Sequence, residues 1–183
     1  MYGLINRAIQ DMVCEHHGSD VWDIIKTKAN IEESRFLVLK SYPDDLTHRL
    51  VFAASEVLGL SSGEIMRAFG QYWVEYTGKA GYQDLLEMAG DTLPDFLSNL
   101  DELHSRLGVQ FPELKPPEFD CEQTDDTTIE LHYQSSRQGL APMVVGLVEG
   151  LGNRFDQSVE VTQVEDRQQG DDRDTFHIKY DAE

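Results

Sequence analysis

The spacing of hydrophobic residues divides the chain into a long helical part and a shorter part that contains strands. Through most of residues 1–110, apolar residues recur every three or four positions, which is the period of helices that bury one face. After about residue 111 the period shortens. Ile129, Leu131 and Tyr133 alternate with polar residues, as in a half-buried strand. The pattern therefore predicts two structurally different parts.

The last helix of the first part is predicted over residues 93–107, with Gly108 ending it. Pro94 stands near its start, where a missing N–H costs little. Its apolar stripe consists of Phe96, Leu100, Leu103 and Leu107. His104 lies on or beside this stripe, so the pattern predicts an imidazole next to an apolar surface.

In the second part, the strand at 128–133 is expected to pair with residues 119–121 as a hairpin. A helix is predicted over residues 143–155, followed by strands around Val159 and Ile178 with a turn at Gly170. We therefore predict an α+β fold: a helical N-terminal subdomain, then a four-stranded antiparallel sheet with one packed helix. We expect a single domain over 1–183. His132 and His177 are expected to be solvated on polar strand faces.

Composition and charge narrow the function classes. Hydrophobic residues make up 40% and charged residues 27% of the 183-residue chain, which is typical of a globular protein. The formal net charge of -19 argues against binding to nucleic acid or an anionic membrane. The sequence has no apolar run of transmembrane length and no signal-peptide pattern, so we expect a cytoplasmic protein. Cys14 and Cys121 are expected to be unpaired thiols.

The end of the strand carries the first candidate site. Tyr133, Ser135 and Arg137 are two residues apart, so in an extended chain their side chains share a face. Two hydroxyls and a guanidinium directed to one place suit a carboxylate or a phosphate. The alternative is a strand edge that leads into a turn, with the arginine in solvent.

The second candidate is His104. A single histidine on an apolar helix face can be a core residue that hydrogen-bonds to a carbonyl group. It can also present a neutral imidazole to an apolar cavity, which is what an axial haem ligand requires.

Taken together, these features resemble a known family. Tyr-x-Ser-x-Arg at 133–137 begins twenty-nine residues after His104, Pro116-Pro117 lies between them, and Gly-Leu-Ala-Pro-Met follows at 139–143. With the opening Met-Tyr-Gly-Leu-Ile-Asn-Arg-Ala-Ile, the whole chain is similar to the haem–nitric oxide/oxygen binding (H-NOX) domain. The resemblance is to the stand-alone bacterial type, with no cyclase domain expected after Glu183, and to the haem domain of soluble guanylate cyclase.

The resemblance implies haem b, with ferrous iron, between the two parts of the fold. It implies that His104 binds the iron and that Tyr133, Ser135 and Arg137 bind the propionates. It also implies that Pro117 presses on the haem and bends it.

The side of the haem opposite His104 is where a gas would bind. Dioxygen-binding members of the family use a tyrosine from the helix after Tyr-x-Ser-x-Arg, whereas residues 142–155 contain none. Met143 and Leu147 stand there instead. Trp73 either lines the same pocket or belongs to the core. The resemblance thus implies a sensor of nitric oxide and carbon monoxide. Exclusion of dioxygen is a hypothesis, because the Trp73 indole N–H could donate a hydrogen bond to it.

The implied activity is signalling rather than catalysis. Nitric oxide would release His104, and the resulting change would reach a separate partner, a histidine kinase or a cyclic-dinucleotide enzyme. Two other functions compete with this one. A peroxidase-type haem enzyme needs a polar acid–base pair at the gas-binding side, and the adjacent His48 and Arg49 do not suit it. The other is a haem-free acidic module that docks a basic partner.

Overall fold

The computed structural model describes residues 1–181, and in it the chain divides into two compact units. The first is Met1–Phe69, and the second begins at Gly70. Among the described residues, no helix is both long enough and apolar enough to cross a membrane. The single-domain assignment and the position of haem between the helical and sheet parts stay predictions.

The first unit is helical. It contains α1 (Gly3–His17), α2 (Ser19–Lys28), α3 (Asp44–Leu58) and the first residues of α4 (Ser62–Thr77). Its core is apolar, with Ala8, Ile25 and Leu50 fully buried. One polar pair lies within this core: the Thr47 hydroxyl donates to the amide oxygen of Asn6 at 2.7 Å, which satisfies two buried groups.

The second unit contains the remaining helices and all of the described strands. After α4 the chain forms a π-helical turn, Gly78–Tyr82, in which Gly81 has a φ of 94° that favours glycine. The helices that follow are α5 (Gln83–Glu87), α6 (Leu93–Ser98), α7 (Leu100–Gln110) and α8 (Ala141–Arg154). The strands are β1 (Glu118–Asp125), β2 (Thr128–Gln134), β3 (Val159–Glu165) and β4 (Asp174–Tyr180).

The four strands form one antiparallel sheet in the order β1-β2-β4-β3. Alternate residues of the central strands face the core, and Leu131 of β2 is paired with Phe176 of β4; both are fully buried. Val144, Val148 and Leu151 of α8 belong to the same core, so this helix packs on the sheet. The α+β fold class predicted from the sequence is therefore confirmed.

The helix predicted over residues 93–107 is in fact two helices. α6 ends at Ser98 and α7 begins at Leu100, with Asn99 at φ −101° and ψ 8° between them. The Asn99 side chain donates to the Ala89 carbonyl at 2.9 Å, a tertiary contact that periodicity does not reveal. The predicted stop at Gly108 is also wrong, because α7 continues to Gln110.

The prediction that His132 is solvated is wrong as well. His132 is only 8% exposed. Its Nδ1 lies 3.1 Å from the Thr175 hydroxyl and its Nε2 lies 3.2 Å from the Glu130 carboxylate. Side chains of the neighbouring strand cover the ring, which strand periodicity cannot predict. His177 is exposed, as expected, and its Nε2 lies 2.8 Å from the same carboxylate.

Candidate functional site

The end of β2 carries a buried hydroxyl pair. Tyr133 is 3% exposed and Ser135 is 8% exposed. Burial raises the pKa of the Tyr133 phenol, while a hydrogen bond with the Ser135 side chain opposes the shift. The charges of Arg137 and Arg167 oppose it too. The Tyr133 hydroxyl therefore lies beside Ser135 and within the field of two guanidinium groups.

Arg137 is held in the turn that follows the strand. Its backbone N–H donates to the Ser135 hydroxyl at 3.1 Å, and its Nη1 donates to the Lys115 carbonyl at 2.9 Å. The side chain is half-buried. These contacts hold Arg137 near Ser135 through a turn, because β2 ends at Gln134 and the extended chain that the spacing assumed does not reach Arg137. They also bring Arg137 to the segment that contains Pro117, two residues after Lys115.

His104, on α7, is the residue that the sequence predicts as a metal ligand. Its Nδ1 is buried and makes no hydrogen bond of standard geometry within the described residues. Burial lowers the pKa of the imidazole, and smaller effects of the Leu100 backbone and the Asp101 charge oppose the shift. The ring is therefore kept neutral near pH 7, the form in which histidine binds a metal.

An aromatic stack links His104 to the hydroxyl pair. The imidazole lies parallel to the Phe119 ring, with centroids 5.7 Å apart and an interplanar angle of 9°. Phe119 in turn contacts Tyr133, with ring centroids 5.2 Å apart. The histidine and the Tyr-x-Ser-x-Arg cluster are thus two ends of one continuous set of contacts.

The other three predicted site residues lie where α4 crosses α8. A Cβ on Gly70 would lie 2.3 Å from the Met143 carbonyl oxygen and 2.7 Å from the Leu147 nitrogen, so the two backbones are in direct contact. Met143 and Leu147 are half-buried on α8. Trp73 is half-buried one turn after Gly70, and its ring stacks on Tyr76 with centroids 6.1 Å apart.

These groups fit a haem. One neutral histidine supplies one axial ligand, and a porphyrin supplies four nitrogen ligands of its own. The hydroxyls and guanidinium groups at the other end of the stack are donors for the porphyrin carboxylates. The buried, neutral imidazole of His104 and the buried hydroxyl of Tyr133 are the two observations that favour this cofactor.

Sequence reasoning missed three residues at this site. Phe119 was recognised only as a strand residue, although its ring separates His104 from Tyr133. Arg167 and Asp174 were not recognised at all. Their contacts with the end of β2 depend on strand order, because Asp174 of β4 is paired with Tyr133 of β2. No spacing along the chain signals such a pairing.

Comparison with known proteins identifies the family. Residues 2–163 match the family model described as Haem-NO-binding. The chain is 32% identical over 166 residues to soluble guanylate cyclase gcy-31 of Caenorhabditis elegans, covering 91% of this chain and 24% of that protein. It is 33% identical over 174 residues to soluble guanylate cyclase gcy-35 of the same organism, covering 92% and 25%. The chain spans about a quarter of the length of these relatives.

Solved structures agree on the fold. An H-NOX protein from S. oneidensis in the Fe(II)NO ligation state superposes with a TM-score of 0.90 at 21% identity, covering 99% of each chain. The Fe(II) unliganded H-NOX protein from K. algicida superposes with a TM-score of 0.87 at 19% identity, covering 100% of this chain and 98% of that one. The match over residues 2–163 and the identity to the cyclases show that this chain belongs to the haem-NO-binding (H-NOX) family, whose cofactor is haem.

Proposed function

We propose that this chain is a haem-based sensor of nitric oxide and carbon monoxide that signals to a partner protein. The observation that carries the proposal is the contact series from His104 through Phe119 to Tyr133. It joins a buried neutral imidazole to a cluster of donors suited to carboxylates. A metal porphyrin with acidic side groups requires both, at opposite ends of one site.

His104 would be the axial ligand, and Tyr133, Ser135 and Arg137 would bind the propionates. Pro117 would contact the porphyrin face, because it lies between Lys115, which binds Arg137, and Phe119, which stacks on His104. Bound ferrous haem would supply an iron able to take nitric oxide or carbon monoxide, and His104 would be the residue whose bond to that iron responds to the gas.

The residues around His104 favour a two-state response. Its imidazole is buried beside Phe119 of β1 and has no standard hydrogen bond at Nδ1 within the described residues. An imidazole that loses its ligand role must find a new partner or turn within α7. Because α7 packs against β1, such a movement changes the contact between them. The differential affinity of the gas for the two arrangements provides the signal.

We propose that the partner is a separate histidine kinase or cyclic-dinucleotide enzyme and that the sensor acts in the cytoplasm. The two free thiols, Cys14 and Cys121, suit a reducing compartment. If release of His104 is the signal, His104→Gly should affect the purified partner as nitric oxide affects the wild type. A variant that acts like the unliganded wild type would contradict the proposal.

Exclusion of dioxygen is part of the proposal. Iron-bound dioxygen needs a hydrogen-bond donor, and α8 offers Met143 and Leu147, which have none, at its crossing with α4. Aerobic absorption spectra of the ferrous protein test this directly. A stable ferrous–oxygen spectrum would contradict it and would make the Trp73 indole the first donor to substitute.

The contacts of His48 and Arg49, the acid–base pair that a peroxidase would need, argue against the peroxidase alternative. Arg49 donates to Asp45 at 2.9 Å and to the Asn30 carbonyl at 3.0 Å, and His48 beside it is exposed. The arginine is therefore bound within its own unit. Turnover of hydrogen peroxide at a rate typical of peroxidases would revive this alternative.

The proposal is tested by adding haem to the purified protein, reducing it, and recording spectra with and without nitric oxide. We expect a Soret band of a histidine-ligated ferrous haem that moves to shorter wavelength when nitric oxide releases the histidine. A protein that acquires no Soret band would instead be the haem-free acidic module.

A further inference from the structure

We propose that Arg167 is a second arginine for the haem carboxylates, beside Arg137 of the Tyr-x-Ser-x-Arg motif. The inference rests on the proposed haem function and deepens it. Arg167 begins the 3-10 turn Arg167–Gln169, which connects β3 to β4 and lies thirty-two residues after Ser135.

Arg167 is attached to the end of β2 by its side chain. Its Nη1 donates to the carbonyl oxygen of Ser135 at 2.7 Å. The hydroxyl of the same serine accepts the backbone N–H of Arg137 at 3.1 Å. Ser135 is therefore contacted by both arginines, through the carbonyl group by one and through the hydroxyl by the other.

The backbone of Arg167 is fixed as well. Its N–H donates to the Asp174 carboxylate at 3.2 Å, and Gln163 donates to the same oxygen at 3.0 Å. Asp174 is only 7% exposed and pairs with Tyr133 across the sheet. The turn that carries Arg167 is thus anchored to the strand residue opposite Tyr133, and the bond from its side chain to Ser135 directs the guanidinium to the end of β2.

The positive charges of Arg167 and Arg137 both act on the phenol of Tyr133. Both guanidinium groups lower the pKa of Tyr133 against the larger effect of burial. Two cations therefore lie near one hydroxyl, in a chain with 34 acidic and only 15 basic side chains. An acidic protein that binds a porphyrin with two carboxylates needs local positive charge at that point.

The donor count supports the assignment. A guanidinium carries five N–H donors in a planar fork, and the bond to Ser135 uses one of them. The fork therefore has donors for a carboxylate while it holds Ser135. A porphyrin presents two propionates, whereas the motif supplies one arginine. Arg167 supplies the second.

A competing role is purely structural: Arg167 could serve only to hold Ser135 and to offset the buried charge of Asp174. The test compares iron protoporphyrin IX with its dimethyl ester, in which both carboxylates are neutral. Each is bound to the wild type and to Arg167→Gln and Arg167→Lys. Arg173→Gln is the matched control, since it removes the same charge from an exposed arginine paired with Glu165. Dissociation is followed as transfer to apomyoglobin.

We expect the wild type to lose the dimethyl ester faster than haem. Arg167→Gln should reduce the ratio of the two dissociation rates, ester over haem, by about three- to tenfold, as expected for a partly exposed charged hydrogen bond. Arg167→Lys should restore part of the ratio, and Arg173→Gln should leave it unchanged. In every variant the Soret band of the remaining complex should still report histidine ligation.

Equal acceleration of both porphyrins in Arg167→Gln would overturn the inference, because a structural role does not distinguish a carboxylate from an ester. That result leaves the haem function intact, since the wild type still binds with histidine ligation. A wild type that binds neither porphyrin through His104 would overturn the proposed function and this inference together.

Discussion

The carboxylate of Asp101 accepts a hydrogen bond from the backbone N–H of Phe119 at 2.9 Å, and this bond joins the start of α7 to the start of β1. Asp101 precedes His104 by three residues, so the two share a helix face. The Phe119 ring stacks on that same histidine. One residue of β1 therefore contacts α7 twice, by its backbone at Asp101 and by its side chain at His104.

Removing this bond should loosen the attachment of α7. We expect Asp101→Ala to lower the free energy of unfolding of the apoprotein by about 1 kcal/mol and to speed haem loss, because the Phe119 N–H loses a charged acceptor. Urea denaturation and transfer of haem to apomyoglobin measure the two effects. Glu102→Ala is the control, since it breaks only an exposed pair with Arg106. Equal effects of both substitutions would show that the bond to Phe119 contributes neither to stability nor to haem retention.

The pH dependence of stability should report the buried imidazole. Burial lowers the pKa of His104 below its ordinary value of 6.5. Below pH 6.5 the unfolded chain takes up a proton that the folded protein does not, so this residue reduces stability as the pH falls. Above that pH its contribution is constant. Urea denaturation of the apoprotein at pH 8 and pH 5.5 should show a smaller loss in His104→Phe than in the wild type. Equal losses would contradict burial of the imidazole.

The crossing of α4 and α8 should not tolerate a side chain at Gly70. An added Cβ would lie 2.3 Å from the Met143 carbonyl oxygen, so Gly70→Ala must separate the two backbones. We expect a loss of about 1–3 kcal/mol in the free energy of unfolding. Gly108→Ala is the matched control. Gly108 is also helical but has open space around it, so alanine there should stabilise by about 0.5–1 kcal/mol. Equal changes in the free energy of unfolding in the two variants would contradict the close contact of the α4 and α8 backbones at Gly70.

Tyr133→Phe should separate the packing of the tyrosine ring from the hydrogen bonding of its hydroxyl. The substitution keeps the ring beside Phe119 and removes the hydroxyl that bonds to Ser135. We expect haem loss to accelerate about tenfold, since a charged carboxylate loses a donor. The stability of the apoprotein should change by less than about 1 kcal/mol, because the stack remains. Unchanged haem loss would exclude the phenol from propionate binding.

Most of the fold could be predicted because it follows from local periodicity. The alternation of Ile129, Leu131 and Tyr133 fixes the buried face of β2, and the stripe on α8 fixes its packing. The break at Asn99 could not be predicted, because it is held by a bond from the Asn99 side chain to the Ala89 carbonyl.

The candidate site, like the fold, could be predicted only in part. The two-residue spacing predicts that Tyr133, Ser135 and Arg137 share a face, but β2 ends at Gln134, and Arg137 is held near Ser135 by the turn that follows. Arg167 reaches Ser135 only because β4 lies beside β2 in the sheet. Strand order is a property of the folded sheet, and it determines which distant residues surround a motif.

The axial bond to His104 is the central claim, and its most direct measurement is the absorption spectrum of ferrous haem in the wild type and in His104→Gly. We expect histidine ligation in the wild type, its loss in the variant, and its recovery when free imidazole is added to the variant. Histidine ligation in His104→Gly without imidazole would contradict the account, because another residue would then hold the iron.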